Sequence, residues 1–259
     1  MSSADKLLSV LTLFTAGGEP LTVEEVSRQL DLPQSTTYRY LRSLSDAGLI
    51  ASIRAGSYVL GPTIVMLDRQ MRRFDPLLVA SRGVMEELAA GIEVSGVLLL
   101  CRLFRDQVMC VHSVEVAAPD LEVAYERGRL MPLFRGAASK AILASLAPRN
   151  ARGLYGQQPQ AFAAAGLGAS WDEVKECFRA LRRAGGVVTY SEIDSDVLGI
   201  ACPIFDPAGQ VLGSLGFVAG GRRPGDALVP ALLEALRQGA EDIGQALRQA
   251  EEMETAPGA

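Results

Sequence analysis

The chain has 259 residues, 49% of them hydrophobic, which is enough apolar material for two packed cores and so for two domains. Its net charge of −5 and pI near 5.1 exclude a protein that coats nucleic acid. No apolar run of about 18 residues is free of polar interruption and the first residues show no secretory pattern, so a cytoplasmic protein without a membrane span is expected.

Leu7, Leu8, Leu11 and Phe14 mark a first helix, which Gly17-Gly18 ends, and Pro20-Leu21 can supply a short strand. Thr22 with Glu25 three residues later is a capping box, so a second helix starts there. Val23, Val26 and Leu30 give that helix one apolar stripe. Asp31-Leu32-Pro33 stops it, because Pro donates no backbone hydrogen bond and disfavours helical geometry in the residue before it. Pro33 also suits the first turn of a new helix. In that third helix Tyr38, Leu41 and Leu44 are expected on the inner side. Ser35, Thr36, Arg39, Arg42, Ser43 and Asp46 take the outer side, and Gly48 suits a C-terminal cap.

Short hydroxyls and backbone N–H groups near a helix start can contact phosphate. Arg39 and Arg42 can reach a phosphate or the O6/N7 edge of guanine. Taken alone, the segment fits a helix-turn-helix and an ordinary solvated helical hairpin equally well. Leu49 to Leu60 then alternates apolar and polar residues around Ala55-Gly56, a β-hairpin signal. A hairpin directly after a recognition helix is the wing of a winged helix, with Arg54 near its tip. The predicted DNA-binding residues are Gln34, Ser35, Thr36, Thr37, Arg39, Tyr40, Arg42, Ser43 and Arg54. Residues 28–73 carry seven Arg against three acids, a net of +4, which leaves −9 for the rest of the chain. A basic patch on an acidic protein fits site-specific DNA binding with limited non-specific affinity.

Thr63 to Phe74 reads as a linking helix, and Pro76 opens another with Leu77, Leu78, Val84, Met85, Leu88 and Ala89 apolar. Val97 to Val114 reads as two strands around a turn at Arg105-Asp106, which would set Cys101 opposite Cys110. Leu121 to Tyr125 is a further candidate strand. Gly136 to Ser145 is small-residue-rich and helical, and Trp171 to Ala184 is a helix ended by Gly185-Gly186. Val187 to Tyr190, Ile200 to Phe205 and Val211 to Val218 look like strands, with a turn at Asp206 to Gly209 between the last two. Leu228 to about Met253 is a final helix, and Glu254 to Ala259 is expected to be disordered. Helices flanking a largely antiparallel sheet make an α+β domain. The predicted organisation is a winged helix-turn-helix over 1–62, a linker helix over 63–75, and a sheet domain over 76–259.

With both halves in view, the chain resembles the IclR family of bacterial transcriptional regulators over nearly its whole length. The N-terminal match lies in Leu32 to Leu41, Ala47-Gly48-Leu49 and Tyr58 to Pro62; the C-terminal match lies in Met131 to Ala141 and Gly185 to Asp206. The resemblance implies a GAF-like effector-binding and oligomerisation domain, a homodimer or dimer of dimers, double-stranded operator DNA, and a small-molecule effector that alters operator binding. Repression is the commoner mode in similar proteins. The resemblance also implies an effector pocket bordered here by Arg135, Gly136, Ala137, Ala138, Ser139, Gly199, Ala201, Gly216 and Val218.

Relatives often read Pro-Leu-His-Ala-Thr-Ala where this chain reads Pro132-Leu-Phe-Arg-Gly-Ala137. Polar residues usual near Gly199, Gly216 and Val218 are replaced by apolar or absent side chains. The implied pocket is roomier and greasier, with few of the donors that hold a very small organic acid. A larger apolar or aromatic effector is therefore expected, with Arg135 or Arg102 as carboxylate partner. The alternative places both arginines at a surface or interface.

Three other readings compete. A hydrolase would have to use His112, the only His, and no GxSxG elbow precedes a helix. Glu192, Asp194 and Asp196 fit either a carboxylate cluster or a solvated loop, and the glycines of Gly213 to Gly221 lack a phosphate-loop context. A regulator without any effector is the third. Cys101, Cys110, Cys177 and Cys202 form no CxxC, so neither a metal nor a cofactor is expected. Cys101 and Cys110 read as two small apolar sheet residues in a reducing compartment. One winged helix reads few base pairs, so DNA recognition should need a dimer.

Overall fold

A computed structural model describes residues 2–15, 19–54, 56–117, 126–220 and 228–255, in two units, Met1–Asp75 and Pro76–Ala259. The expected helix end at Gly17-Gly18, the strand at Leu121 to Tyr125, and Ala55 of the hairpin turn lie outside the described residues.

In the first unit, helix α1 (Ser3–Leu13) is followed by strand β1 (Leu21–Thr22) and helix α2 (Val23–Leu30). The capping box is formed from both sides: Glu25 N–H donates to Thr22 Oγ1 at 3.2 Å and Thr22 N–H to Glu25 Oε2 at 2.7 Å. Asp31 at φ +49° ends α2 in the left-handed region, and Leu32 N–H then reaches back to the Ser27 carbonyl. Helix α3 (Gln34–Asp46) follows at once. Strands β2 (Ile50–Arg54) and β3 (Ser57–Leu60) form the wing, in a sheet of order β1-β3-β2. Helix α4 (Thr63–Phe74) starts against the end of α3, with Thr63 N–H on the Gly48 carbonyl and Thr63 Oγ1 on that of Ala47. Gly61 permits this joint, since a Cβ there would stand 2.2 Å from the Gly48 carbonyl oxygen. No residue of α4 is buried.

The inner face of α3 differs from the expectation. Thr37, Tyr40, Leu41 and Leu44 are buried, whereas Tyr38 is 53% exposed. The buried positions follow i, i+3, i+4, i+7, the true phase of a 3.6-residue helix; the Tyr38-Leu41-Leu44 stripe assumed a period of three.

The second unit is a six-stranded antiparallel sheet between two helical layers. Its elements are α5 (Pro76–Gly91), β4 (Gly96–Phe104), β5 (Gln107–Val116), β6 (Leu130–Pro132), α6 (Ala137–Ser145), α7 (Pro148–Gln157), α8 (Pro159–Ala164), α9 (Trp171–Arg183), β7 (Val187–Tyr190), β8 (Val197–Phe205), β9 (Val211–Gly220) and α10 (Leu228–Thr255). The strand order is β6-β5-β4-β9-β8-β7. Side chains alternate across the sheet. Leu98, Leu100, Ile200, Leu215 and Phe217 join α5 and α10 in one core. Leu99, Cys101, Cys110, Ala201 and Val218 join α6 and α9 in the other.

Cys101 does pair with Cys110 across β4 and β5, and all four cysteines are free thiols. A hydrogen bond to Cys110, together with burial, holds the Cys101 thiol protonated well above the usual range. Helices α7 and α8 and strand β6 have no counterpart in the sequence reading. Helix α10 runs to Thr255, so Glu254 and Thr255 are helical where disorder was expected.

Candidate nucleic-acid interface and effector site

The outward face of α3 starts at an uncapped helix end. Pro33, the N-cap residue, offers no side-chain bond, and its carbonyl takes the N–H groups of Thr36 and Thr37 at 2.9 and 3.0 Å. The N–H groups of Gln34 and Ser35 have no partner among the described residues and point out of an exposed first turn, the geometry that binds a phosphate. Arg39 and Arg42 project from the next turns. The Arg39 guanidinium lies 5.6 Å over the Tyr40 ring, and Arg42, with an 85% exposed side chain, stands 3.9 Å from Asp46, a loose surface pair. Ser43 Oγ donates back to the Arg39 carbonyl at 3.1 Å.

Tyr38, Arg39, Arg42, Ser45, Ser52 and Tyr58 line a cleft of about 560 Å³ that joins α3 to the wing. Arg54 is exposed at the end of β2, where Ser52 Oγ donates to its carbonyl at 2.8 Å. Thr37 and Tyr40 correct the expectation. Both side chains are buried, Thr37 Oγ1 on the Pro33 carbonyl and Tyr40 Oη on Ser3 Oγ at 3.0 Å, so neither presents a side chain to DNA. Tyr38, Ser45, Ser52 and Tyr58 were missed; the correct helical phase would have exposed the first two.

In the second unit, the first turn of α6 is tied down from a distance. Glu192, on the loop after β7, accepts the Gly136 N–H on Oε2 at 2.9 Å and Lys140 Nζ on Oε1 at 2.6 Å. Arg135 donates to the Glu192 backbone carbonyl. Gly136, at φ +82°, makes the entry into α6 that brings its N–H to this carboxylate. Arg135, Lys140, Ser191 and Glu192 border a cavity of about 440 Å³ whose other walls are Pro132, Phe134 and three alanines of the α8 region. Phe134 packs on Phe162 with ring centroids 4.9 Å apart, and Tyr155 on Phe162 at 5.4 Å, so an aromatic cluster backs the cavity. Ser139 is fully buried and its Oγ has no hydrogen-bond partner among the described residues.

The other predicted effector residues separate into two places. Ala137 and Ala138 of α6, with Gly199, Ala201, Gly216 and Val218 of the sheet, are buried where α6 meets β8 and β9. Ser214 Oγ donates to the Ala138 carbonyl there at 3.1 Å. The expected extra room is not found at these glycines. A Cβ on Gly199 would stand 2.9 Å from Thr189 Oγ1 and 3.4 Å from Ala137 Cβ; one on Gly216 would stand 3.1 Å from the Ile200 carbonyl oxygen. At Gly199 the space is taken by Thr189 and by Ala137 of α6, and at Gly216 by Ile200 and Ala201 of the neighbouring strand β8. Arg102 falls between Cys101 and Leu103, which pack toward α6, so its side chain leaves the sheet on the opposite face from Arg135. Lys140 and Glu192 were missed as site residues. Lys140 stood in the quoted motif, but the role of Glu192 depends on a contact across 52 residues.

Among the described residues no group of three or more His, Cys, Asp or Glu comes together to hold a metal, and no helix is long and apolar enough to cross a membrane. His112 stands opposite Leu100 on the face covered by α5 and α10.

Both units are similar to known proteins. A family model described as the IclR helix-turn-helix domain matches residues 3–53, and one described as bacterial transcriptional regulator IclR C-terminal matches residues 75–245. The chain is similar to the HTH-type transcriptional regulator KipR of Bacillus subtilis (strain 168), 25% identical over 243 residues, covering 93% of this chain and 94% of that protein. It is similar to the Pca regulon regulatory protein of Pseudomonas putida, 20% identical over 215 residues, with 83% and 73% covered. Its fold is similar to the crystal structure of an IclR transcriptional regulator from Alicyclobacillus acidocaldarius, with a TM-score of 0.78 at 20% identity over 95% of this chain and 98% of that one. It is also similar to that of an IclR homolog from Microbacterium hydrocarbonoxydans complexed with 4-hydroxybenzoate, with a TM-score of 0.70 at 20% identity over 96% and 100%.

Proposed function

The chain belongs to the IclR family of bacterial transcriptional regulators, DNA-binding proteins rather than enzymes, and on that premise we propose that it is a cytoplasmic repressor, a dimer or dimer of dimers, released from its operator by an organic carboxylate with an apolar or aromatic body. The DNA contact in this reading runs through Gln34, Ser35, Arg39, Arg42, Tyr38 and the wing residue Arg54. The dimer reading draws on α4, where Leu67, Met71 and Phe74 recur at i, i+4, i+7 and all three are exposed. A second copy of the chain would cover such a stripe.

The observation that carries the effector half is the Glu192 contact. A carboxylate already sits on the Gly136 N–H and Lys140, at the positive end of α6 and on the rim of a partly aromatic cavity. A ligand carboxylate with Arg135 and Lys140 as partners fits the same place, and the homologue from Microbacterium hydrocarbonoxydans was crystallised with an aromatic acid. A second reading, a regulator with no small-molecule effector, draws on the same contact, since Glu192 satisfies these donors from within the chain.

The test is to recover the DNA that the protein binds and to titrate 4-hydroxybenzoate into the complex. Release of the DNA, lost in both Arg135→Ala and Lys140→Ala, supports the effector reading. Tight DNA binding untouched by a panel of aromatic and aliphatic carboxylates supports the second.

A further inference from the structure

We propose that the cavity between α6, α10 and the far end of β8 is a second small-molecule site, one that takes an organic carboxylate with an extended apolar body. It holds about 370 Å³ and lies at the opposite end of α6 from Gly136, sharing no lining residue with the cavity at Glu192. That volume is in the range of small-ligand sites.

The space has a structural origin. Strand β7 pairs with β8 only from Leu198 to Ala201, while β8 continues to Phe205 on its partner β9. Past Ala201 the outer edge of β8 therefore has no strand beside it among the described residues. The Gly185-Gly186 turn borders this stretch: Gly186 packs so closely that a Cβ there would stand 2.8 Å from the Ala201 carbonyl oxygen and from Cys202 Sγ, while one at Gly185 would meet only Arg237 Cδ, at 3.3 Å. Pro203, which lacks an N–H, lies on this uncovered stretch, a position that an edge tolerates. On the facing helix Gly244 leaves a second opening: a Cβ there would meet only the Phe205 carbonyl oxygen at 3.4 Å and Arg248 Nη1 at 3.7 Å.

The chemistry of the walls is divided. Ala144, Leu181, Val187, Phe205 and Ala240 make an apolar floor. Three arginines and one acid also line the cavity, an excess of two positive charges. Arg237 is spoken for, because it pairs with Glu241 and Glu234, both at 2.5 Å, and these carboxylates reinforce its charge. Arg182 donates to the Ala144 carbonyl at 2.6 Å, at the end of α6. Arg248 has neither ion pair nor hydrogen bond among the described residues, and its guanidinium reaches the Gly244 opening. A fork of donors without an acceptor above an apolar floor matches a carboxylate that carries a hydrocarbon body.

Octanoate is the probe, titrated calorimetrically into the full-length protein, with 1-octanol as its uncharged counterpart. Saturable binding is expected with a component that is weakened at least tenfold in Arg248→Ala and unchanged in Arg135→Ala; any octanoate that enters the cavity at Glu192 shows as a separate component lost in Arg135→Ala. Octanol binding should be weaker and indifferent to Arg248→Ala. Gly244→Leu, which places a side chain in the cavity and improves helix propensity, should abolish octanoate binding; a thermal melt shows whether it folds, and Arg248→Ala at an exposed position decides the question if it does not. Absence of saturable octanoate binding overturns the proposal. So does binding that is lost with Arg135 and insensitive to Arg248.

Discussion

Glu192 Oε1 stands 2.6 Å from Lys140 Nζ, and this contact across 52 residues fixes the loop after β7 to the first turn of α6. The lysine side chain is 11% exposed and the glutamate 29%, so water screens the pair only in part. Glu192→Gln keeps the shape and removes the charge. It should cost about 1–2 kcal/mol and lower the melting temperature by about 2–8 °C. The same variant should bind 4-hydroxybenzoate more tightly than the parent, because the internal competitor for Gly136 and Lys140 has been weakened. Calorimetry checks this, and weaker binding would mean that Glu192 helps to hold the ligand.

Tyr38 and Tyr40 should behave as opposites. Tyr40→Ala removes a buried ring and should cost about 3–5 kcal/mol; Tyr40→Phe gives up only the bond to Ser3, about 1 kcal/mol. Tyr38→Ala should change stability by less than about 0.5 kcal/mol while weakening operator binding. Chemical denaturation and gel shifts on the three variants measure both. A stable Tyr40→Ala would sink the assigned phase of α3.

Arg39→Ala and Arg42→Ala should each weaken DNA binding, and salt dependence tells the kind of contact. Loss of a phosphate contact lowers the salt slope by about 0.9 and acts alike on all sequences. Loss of a guanine contact costs about 1–3 kcal/mol on the operator and little elsewhere. Fluorescence anisotropy across a salt series separates the two.

Burial pushes the Cys202 thiol up to about 12. In the unfolded chain the thiol ionises near its ordinary value of 9.0, so above that pH the unfolded state has lost a proton that the folded state retains. Its contribution to stability is fully present below about pH 8 and falls by about 1.4 kcal/mol per pH unit between roughly 9 and 12. Urea denaturation from pH 7 to pH 10.5 should show the decline, and Cys202→Ala should make it shallower, leaving the part that comes from Cys101, whose buried thiol is also held protonated. Equal slopes in the two proteins would assign the decline to other groups.

Local chemistry made the first unit legible. The capping box at Thr22 and Glu25, Pro33, and the alternation from Leu49 to Leu60 are signals that act within a few residues. Face assignment was harder, since Thr37 and Tyr38 differ by one position and a stripe of three residues fits either phase. Helices α7 and α8 left little trace because they bury only Ala151 and Phe162, although Pro148 and Pro159 mark their starts. At Gly199 and Gly216 the letters could not say whether missing side chains leave a hole or let neighbouring elements approach; close packing favours the second. Glu192 reads as a loop acid until the fold delivers it to α6.

The strand order also governs when the second unit can form. Its two central strands, β4 and β9, pair residues 97–102 with residues 213–218. At about 5–20 residues per second of synthesis, the hairpin of β4 and β5 waits some 5–20 s on the ribosome for its partner. During that interval the edge from Val97 to Cys101, almost wholly apolar, is an unpaired template of the kind that recruits other strands. Slower synthesis of the segment between β5 and β9 lengthens that exposure, and should lower the amount of protein that stays out of aggregates while leaving the finished protein unchanged.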